Sequence, residues 1–207
     1  MRKKIGITLR IVKATNYEET RDALSHDWTP FLEQIQCTPI FIPNNLTDVN
    51  SFLKDENFDG FILSGGDNKG DNPLRDNTEN EIIKFAIQNK IPIFGVCRGM
   101  QVLNECFEGS VEKNESDSHV GKSHLVELNE NYSKMLGSSI TVNSFHNNII
   151  REKDLGKELE SFAVTKEDNT VEGFYHKSLP ILGVMWHPER ESKEHDKLLL
   201  KDFFDKY

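Results

Sequence analysis

Short apolar runs alternate with amphipathic segments along most of this chain. Apolar runs bounded by Pro, Gly or polar clusters are typical of buried strands, whereas apolar residues at three- and four-residue spacing are typical of helices. Strand-like runs occur at residues 5–9, 39–43, 58–63 and 91–96. Their alternation with helical segments predicts an α/β fold, a three-layer sandwich with a mainly parallel central sheet covered on both faces.

Helical spacing is clearest where apolar residues repeat along one side of a segment. The predicted helices cover residues 28–35, 78–89, 98–107 and 194–207. Thr78 and Glu81 have the spacing of a capping box, in which the side chains at the start of a helix satisfy its free N–H groups. We therefore expect the second of these helices to begin at Thr78.

The middle of the chain has a different pattern. It is mostly polar from residue 108 to residue 130. Short strand-like runs lie at 125–128, 140–142, 162–165, 171–175 and 181–186. We expect them to include a small antiparallel sheet beside the parallel one. No repeat or linker-like tract interrupts the sequence, so we expect a single domain over residues 1–207.

Composition and charge narrow the class of protein. Hydrophobic residues make up 36% and charged residues 29% of the chain, and its net charge of −9 argues against a nucleic-acid groove. No apolar run is long enough to span a bilayer, and the basic N-terminus lacks the apolar core of a signal peptide. The three cysteines have no paired spacing, so we expect reduced thiols in a cytoplasmic protein.

Cys97 lies in the most informative motif of the chain. The apolar run at 91–96 leads into Gly95-Val-Cys97-Arg-Gly99, and a helical segment follows. A strand, a sharp turn and a helix form the nucleophile elbow of hydrolases, where free N–H groups of the helix favour a thiolate. A free cysteine is more often a buried structural residue, and the motif alone leaves both interpretations open.

A thiol nucleophile needs a base, and the base needs a group that orients it. His187 follows the apolar run at 181–186, and Glu189 lies two positions further on. In an extended segment these side chains share one side, so Glu189 is placed to orient the ring. A solvated loop after a strand is the alternative for this motif.

The run at 58–63 ends in Ser64-Gly65-Gly66-Asp67, at the carboxyl end of a predicted parallel strand, where ligands of such sheets bind. The N–H of Gly66 and the N–H of Arg98, directly after the cysteine, are candidates for an oxyanion hole. A simple tight turn remains the alternative for the two glycines.

These motifs together resemble the class I glutamine amidotransferase-like family. The likeness rests on Gly65-Gly66, on Gly-Val-Cys-Arg-Gly-Met-Gln at 95–101 and on Trp-His-Pro-Glu at 186–189, in that order. Arg98 and the segment Val-Asn-Ser-Phe-His at 142–146 resemble the free-standing γ-glutamyl hydrolases, such as γ-glutamyl-γ-aminobutyrate hydrolase.

The resemblance implies a catalytic triad of Cys97, His187 and Glu189. It also implies that Gln101 anchors the glutamyl group and that a loop holds its α-amino and α-carboxylate groups. The residues of that loop are Asn143, Ser144, Phe145 and His146. Gly65 completes the predicted substrate contacts.

The segment after Gly66 and the 108–124 loop depart from the longer γ-glutamyl hydrolases, and Asn148 replaces their usual Gln. The compact length and these loops resemble the γ-glutamyl-CDP-amidate hydrolases of bacterial capsule phosphoramidate pathways. Such a substrate needs phosphate contacts. The candidates are Arg10, Lys69, Arg75, Arg98 and Lys122.

We therefore expect a hydrolase that releases glutamate from a small-molecule γ-glutamyl substrate through a thioester, with no cofactor. We also expect no metal, because His119 and His124 have no evident Cys or carboxylate partners in the sequence. The alternatives are another γ-glutamyl-amine hydrolase, a glutaminase subunit that supplies ammonia to a synthetase, and a non-catalytic binding protein. The oligomeric state stays open.

Overall fold

The computed structural model describes residues 2–114 and 119–207. Four residues of the predicted 108–124 loop, 115–118, lie outside the described residues, as does Met1. Within the described residues no helix is both long and apolar enough to cross a membrane.

Helices and strands alternate through the first half of the described chain, and strands dominate the second half. The strands are β1 (Lys3–Thr8), β2 (Arg10–Lys13), β3 (Thr20–Ala23), β4 (Cys37–Ile42), β5 (Gly60–Leu63), β6 (Ile93–Val96), β7 (Glu112–Lys113), β8 (Val120–Leu128), β9 (Ser139–Phe145), β10 (Asn148–Ile149), β11 (Leu159–Thr165), β12 (Val171–His176) and β13 (Ile181–Val184). The helices are α1 (Trp28–Gln34), α2 (Val49–Glu56), α3 (Pro73–Asn89), α4 (Arg98–Cys106), α5 (Glu130–Leu136), α6 (Pro188–Glu191) and α7 (Glu194–Lys206), with a 3-10 turn at Glu152–Asp154.

One large sheet organises the molecule. Among the described residues it has nine strands in the order β4-β1-β5-β6-β13-β12-β11-β8-β9. The pairs from β4 to β13 are parallel, and the pairs from β13 to β9 are antiparallel. Two small antiparallel pairs, β2 with β3 and β7 with β10, lie outside it. The predicted α/β class is confirmed, and the antiparallel strands mostly extend the main sheet.

Two apolar layers cover the sheet, one on each face. One layer contains Trp28 of α1 and Phe203 of α7, and the other contains Leu53 of α2, Ile82 of α3 and Met100 of α4. Burial of these side chains supplies the main favourable free energy for the three-layer arrangement. The carboxyl ends of the parallel strands are thereby held at one edge, where ligands of such folds bind.

Helix α3 begins earlier than the sequence predicts. Its N-cap is Asn72, and Pro73 occupies the first turn. Proline is favoured there because its φ angle already suits a helix and it has no N–H to satisfy. Thr78 lies inside the helix, where its hydroxyl donates to the Asn44 carbonyl, so the predicted capping box is wrong.

A buried ion cluster, formed by Arg75, Glu79 and Arg98, joins α3 to α4. Each of the three residues is at most 1% exposed. Arg75 Nε donates to Glu79 Oε1 over 3.0 Å, and Arg98 Nη1 donates to Glu79 Oε2. Thr8 adds a third donor to Glu79 from β1 over 3.1 Å. One carboxylate thus connects the sheet, α3 and the start of α4.

The substitution Glu79→Gln should destabilise the fold by about 3–5 kcal/mol, because it removes the buried counter-charge of Arg75 and leaves Arg98 with Asp76 as its remaining carboxylate partner. Glu81→Gln on the same helix is the matched control. Glu81 pairs with Lys84, whose side chain is 66% exposed. Its loss should cost less than about 1 kcal/mol. Equilibrium urea unfolding measures both values, and equal losses in the two variants would contradict this role for Glu79.

Candidate active site

Cys97 lies at the sharp turn between β6 and α4. Its backbone has φ +50° and ψ −105°, a conformation that non-glycine residues rarely adopt. The turn is held on both sides, because the Cys97 N–H donates to the Val184 carbonyl over 2.8 Å and its carbonyl accepts from the Gln101 N–H over 3.1 Å. The predicted strand, turn and helix are all present, with Cys97 at the N-cap of α4.

Two glycines let the elbow pack closely. A Cβ on Gly99 would collide with the backbone carbonyl of Leu63 in the neighbouring strand β5. A Cβ on Gly95 would lie 2.8 Å from the backbone of Gly99 and 2.7 Å from Leu103. The backbones of Leu63 and Gly99 could move away from such a Cβ only at a large energetic cost. The two glycines therefore allow α4 to pack directly against the strand ends.

His187 and Glu189 form a buried pair at the N-terminus of α6. His187 Nδ1 lies 2.8 Å from Glu189 Oε1, and the two residues are 4% and 5% exposed. The segment is not extended as the sequence predicts, because Glu189 lies in the first turn of α6. The side chains meet nonetheless, since Pro188 starts that helix and His187 caps it.

The thiol and the imidazole influence each other's charge. Burial raises the pKa of Cys97, but the hydrogen bond and charge of His187 outweigh it and lower that pKa. Burial works against a charged His187, yet its contacts with Cys97 and Glu189 raise the pKa of His187 to about 9. Both shifts favour a thiolate beside an imidazolium over the pair of neutral groups.

The glycine turn after β5 lies against this pair. A Cβ on Gly65 would lie 2.7 Å from His187 Cε1 and 3.6 Å from Cys97 Cβ. Gly66 has φ +134°, where a side chain would be strained. The backbone N–H of Arg98 also helps to lower the pKa of the Cys97 thiol. Gly66 and Arg98, the predicted oxyanion-hole residues, both line the pocket at Cys97, while the side chain of Arg98 points into the buried ion cluster.

Asn143 contacts His187 through its side chain. Its amide donates to the His187 carbonyl over 2.8 Å and its amide oxygen accepts from the His187 N–H over 2.9 Å. The sequence predicts Asn143 as a substrate contact. In the structure both ends of its side-chain amide hydrogen-bond the backbone of His187 instead.

Ser144 is also occupied by the protein. It is fully buried, and its hydroxyl donates to the His119 carbonyl over 2.6 Å. This placement does not support its predicted contact with substrate. It ties the end of β9 to the residue before β8.

A small pocket opens above Cys97. The residues lining it are Gly66, Asn68, Cys97, Arg98, Gln101, Phe145, His146, Asn147 and Asn148, around about 150 Å³. Gln101 accepts from the Asn148 amide over 3.3 Å, and Phe145 lies edge-on to His187 with ring centroids 6.0 Å apart. The pocket therefore contains three of the predicted substrate residues: Gln101, Phe145 and His146.

A wider groove of about 470 Å³ continues from this pocket. The two share Asn68, Gln101, Asn147 and Asn148, and the groove adds Lys69 and Lys113. Lys69 also pairs with Glu105 over 2.7 Å. Two lysines and one glutamate thus line the groove, which leaves its lining with one positive charge in excess.

The predicted phosphate contacts are scattered. Arg10 lies beside Gly66, since a Cβ there would lie 3.4 Å from its Nε. Lys122 is exposed on β8, opposite Ser144. Arg75 is buried under the glycine turn, where it donates to the Ser64 carbonyl over 2.7 Å. Arg75 and Arg98 are 0% and 1% exposed and both pair with Glu79, so their burial speaks against the predicted phosphate contacts.

A second buried polar group, the Glu172 cluster, adjoins the pocket through His146. Its residues are His119, His124, His146 and Glu172. The sequence-based premise that His119 and His124 lack carboxylate partners is wrong, because Glu172 of β12 and Asp168 face them in the fold. Asp168 lies 49 positions from His119 along the chain, and no local spacing signals such a pair.

This chain shares sequence with known proteins over most of its length. Residues 20–207 match the family described as glutamine amidotransferase class-I. The chain is 32% identical to the γ-glutamyl-CDP-amidate hydrolase of Campylobacter jejuni over 207 residues, which cover 97% of this chain and 96% of that protein. It is 30% identical over 165 residues to a glutamine-hydrolyzing GMP synthase subunit from Methanococcus vannielii, covering 80% and 82% of the two chains.

A solved structure shares the fold over almost the whole length. A protein of the GMP synthase subunit type from Thermoplasma acidophilum matches with a TM-score of 0.75 and 26% identity. The match covers 99% of this chain and 94% of that one. From its sequence match and its fold, this chain belongs to the class-I glutamine amidotransferase family.

Proposed function

We propose that this protein is a cysteine-dependent hydrolase of γ-glutamyl amide-type bonds. The observation that carries the proposal is the chain of contacts from Cys97, which lines the pocket, to His187 and from His187 to Glu189, with the backbone N–H of Arg98 also beside the sulfur. Nucleophile, base and orienting group then have the roles of a catalytic triad.

In the first half of the reaction the Cys97 thiolate attacks the γ-carbonyl carbon, and a C–S bond forms as the carbonyl electrons move to oxygen. The N–H groups of Gly66 and Arg98 are placed to receive that oxyanion. The intermediate collapses, the C–N bond breaks, and the leaving nitrogen takes the proton from His187. The product of this step is a γ-glutamyl thioester on Cys97.

In the second half, neutral His187 removes a proton from water, whose oxygen attacks the thioester carbon. The C–O bond forms, the C–S bond breaks, and glutamate leaves while Cys97 returns to its thiolate. Glu189 keeps Nδ1 of His187 protonated throughout, so that Nε2 exchanges protons with the reacting groups. Asn143 holds the backbone of His187 in place through two hydrogen bonds.

The substrate we propose is γ-glutamyl-CDP-amidate, whose hydrolysis gives cytidine diphosphoramidate for capsule phosphoramidate biosynthesis. Support comes from the 32% identity to the Campylobacter jejuni enzyme of that name over nearly the full length of both chains. The groove beside the pocket, with Lys69 and Lys113, suits a diphosphate on the leaving group.

A glutaminase function is the second candidate, because the chain is also similar to glutamine-hydrolyzing GMP synthase subunits. In that role the same thioester chemistry would release ammonia for a partner synthetase. Glutamine lacks the large leaving group that would use the basic groove.

Substrate preference separates these functions. We expect kcat/KM for γ-glutamyl-CDP-amidate to exceed that for glutamine by at least about 100-fold, because contacts to the leaving group lower the transition-state energy by about 3 kcal/mol. The measurement is steady-state glutamate release from γ-glutamyl-CDP-amidate, γ-glutamyl-γ-aminobutyrate and glutamine. A preference for glutamine would favour the glutaminase function instead.

Replacing the triad should abolish turnover without unfolding the protein. Cys97→Ala removes the nucleophile, and Glu189→Gln should lower kcat by about 10²–10⁴-fold because the His187 ring loses its orienting charge. Glu191→Gln is the control, since Glu191 lies in the same helix but pairs with Lys193 near the surface. Full activity in Cys97→Ala, or equal loss in both glutamine variants, would contradict the triad.

Selective alkylation tests the charge state of Cys97. Its lowered pKa keeps the thiolate present at lower pH, whereas burial raises the pKa of Cys106 and raises that of Cys37 to about 11. At about pH 6.5 iodoacetamide should therefore modify Cys97 at least about tenfold faster than the other two thiols.

Peptide mass spectrometry over a time course gives the three alkylation rates, and His187→Ala serves as the comparison. Without the imidazolium, the Cys97 rate at that pH should fall toward that of an ordinary thiol. Equal rates at Cys97 and Cys106 in the wild-type protein would show that the thiolate is not stabilised.

A further inference from the structure

The Glu172 cluster is almost fully closed to solvent. Glu172 is 0% exposed, and the three histidine residues are 3–8% exposed. The ring centroids of His119 lie 5.0 Å from His124 and 4.7 Å from His146. A carboxylate buried among three imidazoles needs compensation from hydrogen bonds or a cation.

Hydrogen bonds outside the cluster determine which ring nitrogens carry protons. His119 Nε2 lies 2.8 Å from Asp168 Oδ2, and His146 Nδ1 lies 2.8 Å from the Asn148 carbonyl oxygen. A carboxylate and a carbonyl only accept, so these two nitrogens hold the ring protons. In neutral rings, Nδ1 of His119 and Nε2 of His146 are then bare lone pairs, and both face Glu172.

Five atoms inside the cluster have no hydrogen-bond partner among the described residues. They are His119 Nδ1, His124 Nε2, His146 Nε2 and both oxygens of Glu172. Lone pairs that face each other in a buried space repel unless a positive charge lies between them. Protons on the imidazoles or a bound metal ion are the two sources of that charge.

The separations between nitrogen and oxygen favour the metal. They are 3.3 Å for His124, 3.5 Å for His146 and 3.7 Å for His119, longer than the N–H···O hydrogen bond of about 2.7–3.2 Å. Ligands about 2.0–2.1 Å from a tetrahedral zinc ion lie about 3.3–3.4 Å from one another. The ligand atoms of His119, His124 and Glu172 also all lie within 4.8 Å of each other.

The surroundings also match a metal site. Ligating histidines commonly donate their second ring N–H to a carboxylate or a carbonyl, as His119 does to Asp168. Asp168 is itself fixed, since it accepts from the Thr170 hydroxyl over 2.8 Å. A donor set of imidazole nitrogens and one carboxylate favours zinc over Mg²⁺ and Ca²⁺.

We propose that the Glu172 cluster binds one divalent transition-metal ion of the zinc type. The ion is structural: it joins the start of β8, the end of β9 and β12, which the chain brings together from distant positions. The ligands are His119, His124 and Glu172; His146, which lines the pocket above Cys97, lies 3.5 Å from the same carboxylate, so the ion lies next to that wall of the pocket. The site is separate from the triad and uses none of its residues.

Metal content tests this site directly. The full-length protein, stripped with a chelator and then equilibrated with Zn²⁺, should hold about one ion per chain after desalting, measured by elemental mass spectrometry. A Cys97→Ser background is run in parallel with the wild type, so that metal on the active-site thiol is not counted. Co²⁺ should give the visible absorption bands of a tetrahedral site with nitrogen and oxygen ligands.

Two variants and a control locate the ion. Glu172→Gln and His124→Ala should each lower the bound metal by at least about tenfold, whereas His26→Ala, at an exposed histidine, should retain it. Zn²⁺ should raise the thermal midpoint of the wild type and of His26→Ala and leave that of Glu172→Gln unchanged.

A variant that is merely less stable does not mislead this test, because the change in thermal midpoint on adding Zn²⁺ is measured within each protein. A wild-type protein that takes up neither Zn²⁺ nor Co²⁺ would overturn the proposal. So would uptake by Glu172→Gln equal to that of His26→Ala. Either result would mean that protons on the imidazoles balance the charge of Glu172.

Discussion

The geometry of the active site depends on the hydrogen bonds that the buried carboxylate of Glu79 accepts. It accepts from Arg75 in its own helix, from Arg98 at the start of α4 and from Thr8 in β1. Arg75 also donates to the carbonyls of Ser64 and Gly65. Glu79 and its two arginines therefore connect the turn after β5 to the turn after β6, and the proposed oxyanion donors, the N–H groups of Gly66 and Arg98, belong to those turns. A buried ion cluster adds less stability than apolar packing of equal volume, so its main effect is positional.

The pocket lies between this ion cluster and the Glu172 cluster. On one side, Arg98 contributes a backbone N–H to the site and sends its side chain to Glu79. On the other side, His146 lines the pocket and sends its Nε2 toward Glu172. Two of the residues that line the pocket thus belong to buried polar networks. Such networks tolerate few alternative arrangements, which suits a site whose donors must stay within a fraction of an ångström of the reacting atoms.

The strand–turn–helix around Cys97 could be predicted because its causes are local. An apolar run, two glycines and a helical segment specify an elbow within about ten residues, and the structure has that elbow with Cys97 at positive φ. His187 with Glu189 is local too, and their contact is present even though the segment turns into a helix. The start of α3 differs from the prediction because Pro73 outweighs the capping-box spacing of Thr78.

The sequence by itself determined the α/β class, the elbow and the candidate triad, since each depends on residue types at short spacing. Only the tertiary structure decided what the polar side chains contact. Asn143 hydrogen-bonds the backbone of His187, and Arg75 lies under the glycine turn. Glu172 faces three histidines that are distant from it along the chain. The physical reason is that a buried polar group must find partners wherever the packed layers bring them. Those partners are separated along the chain by distances that no local pattern encodes.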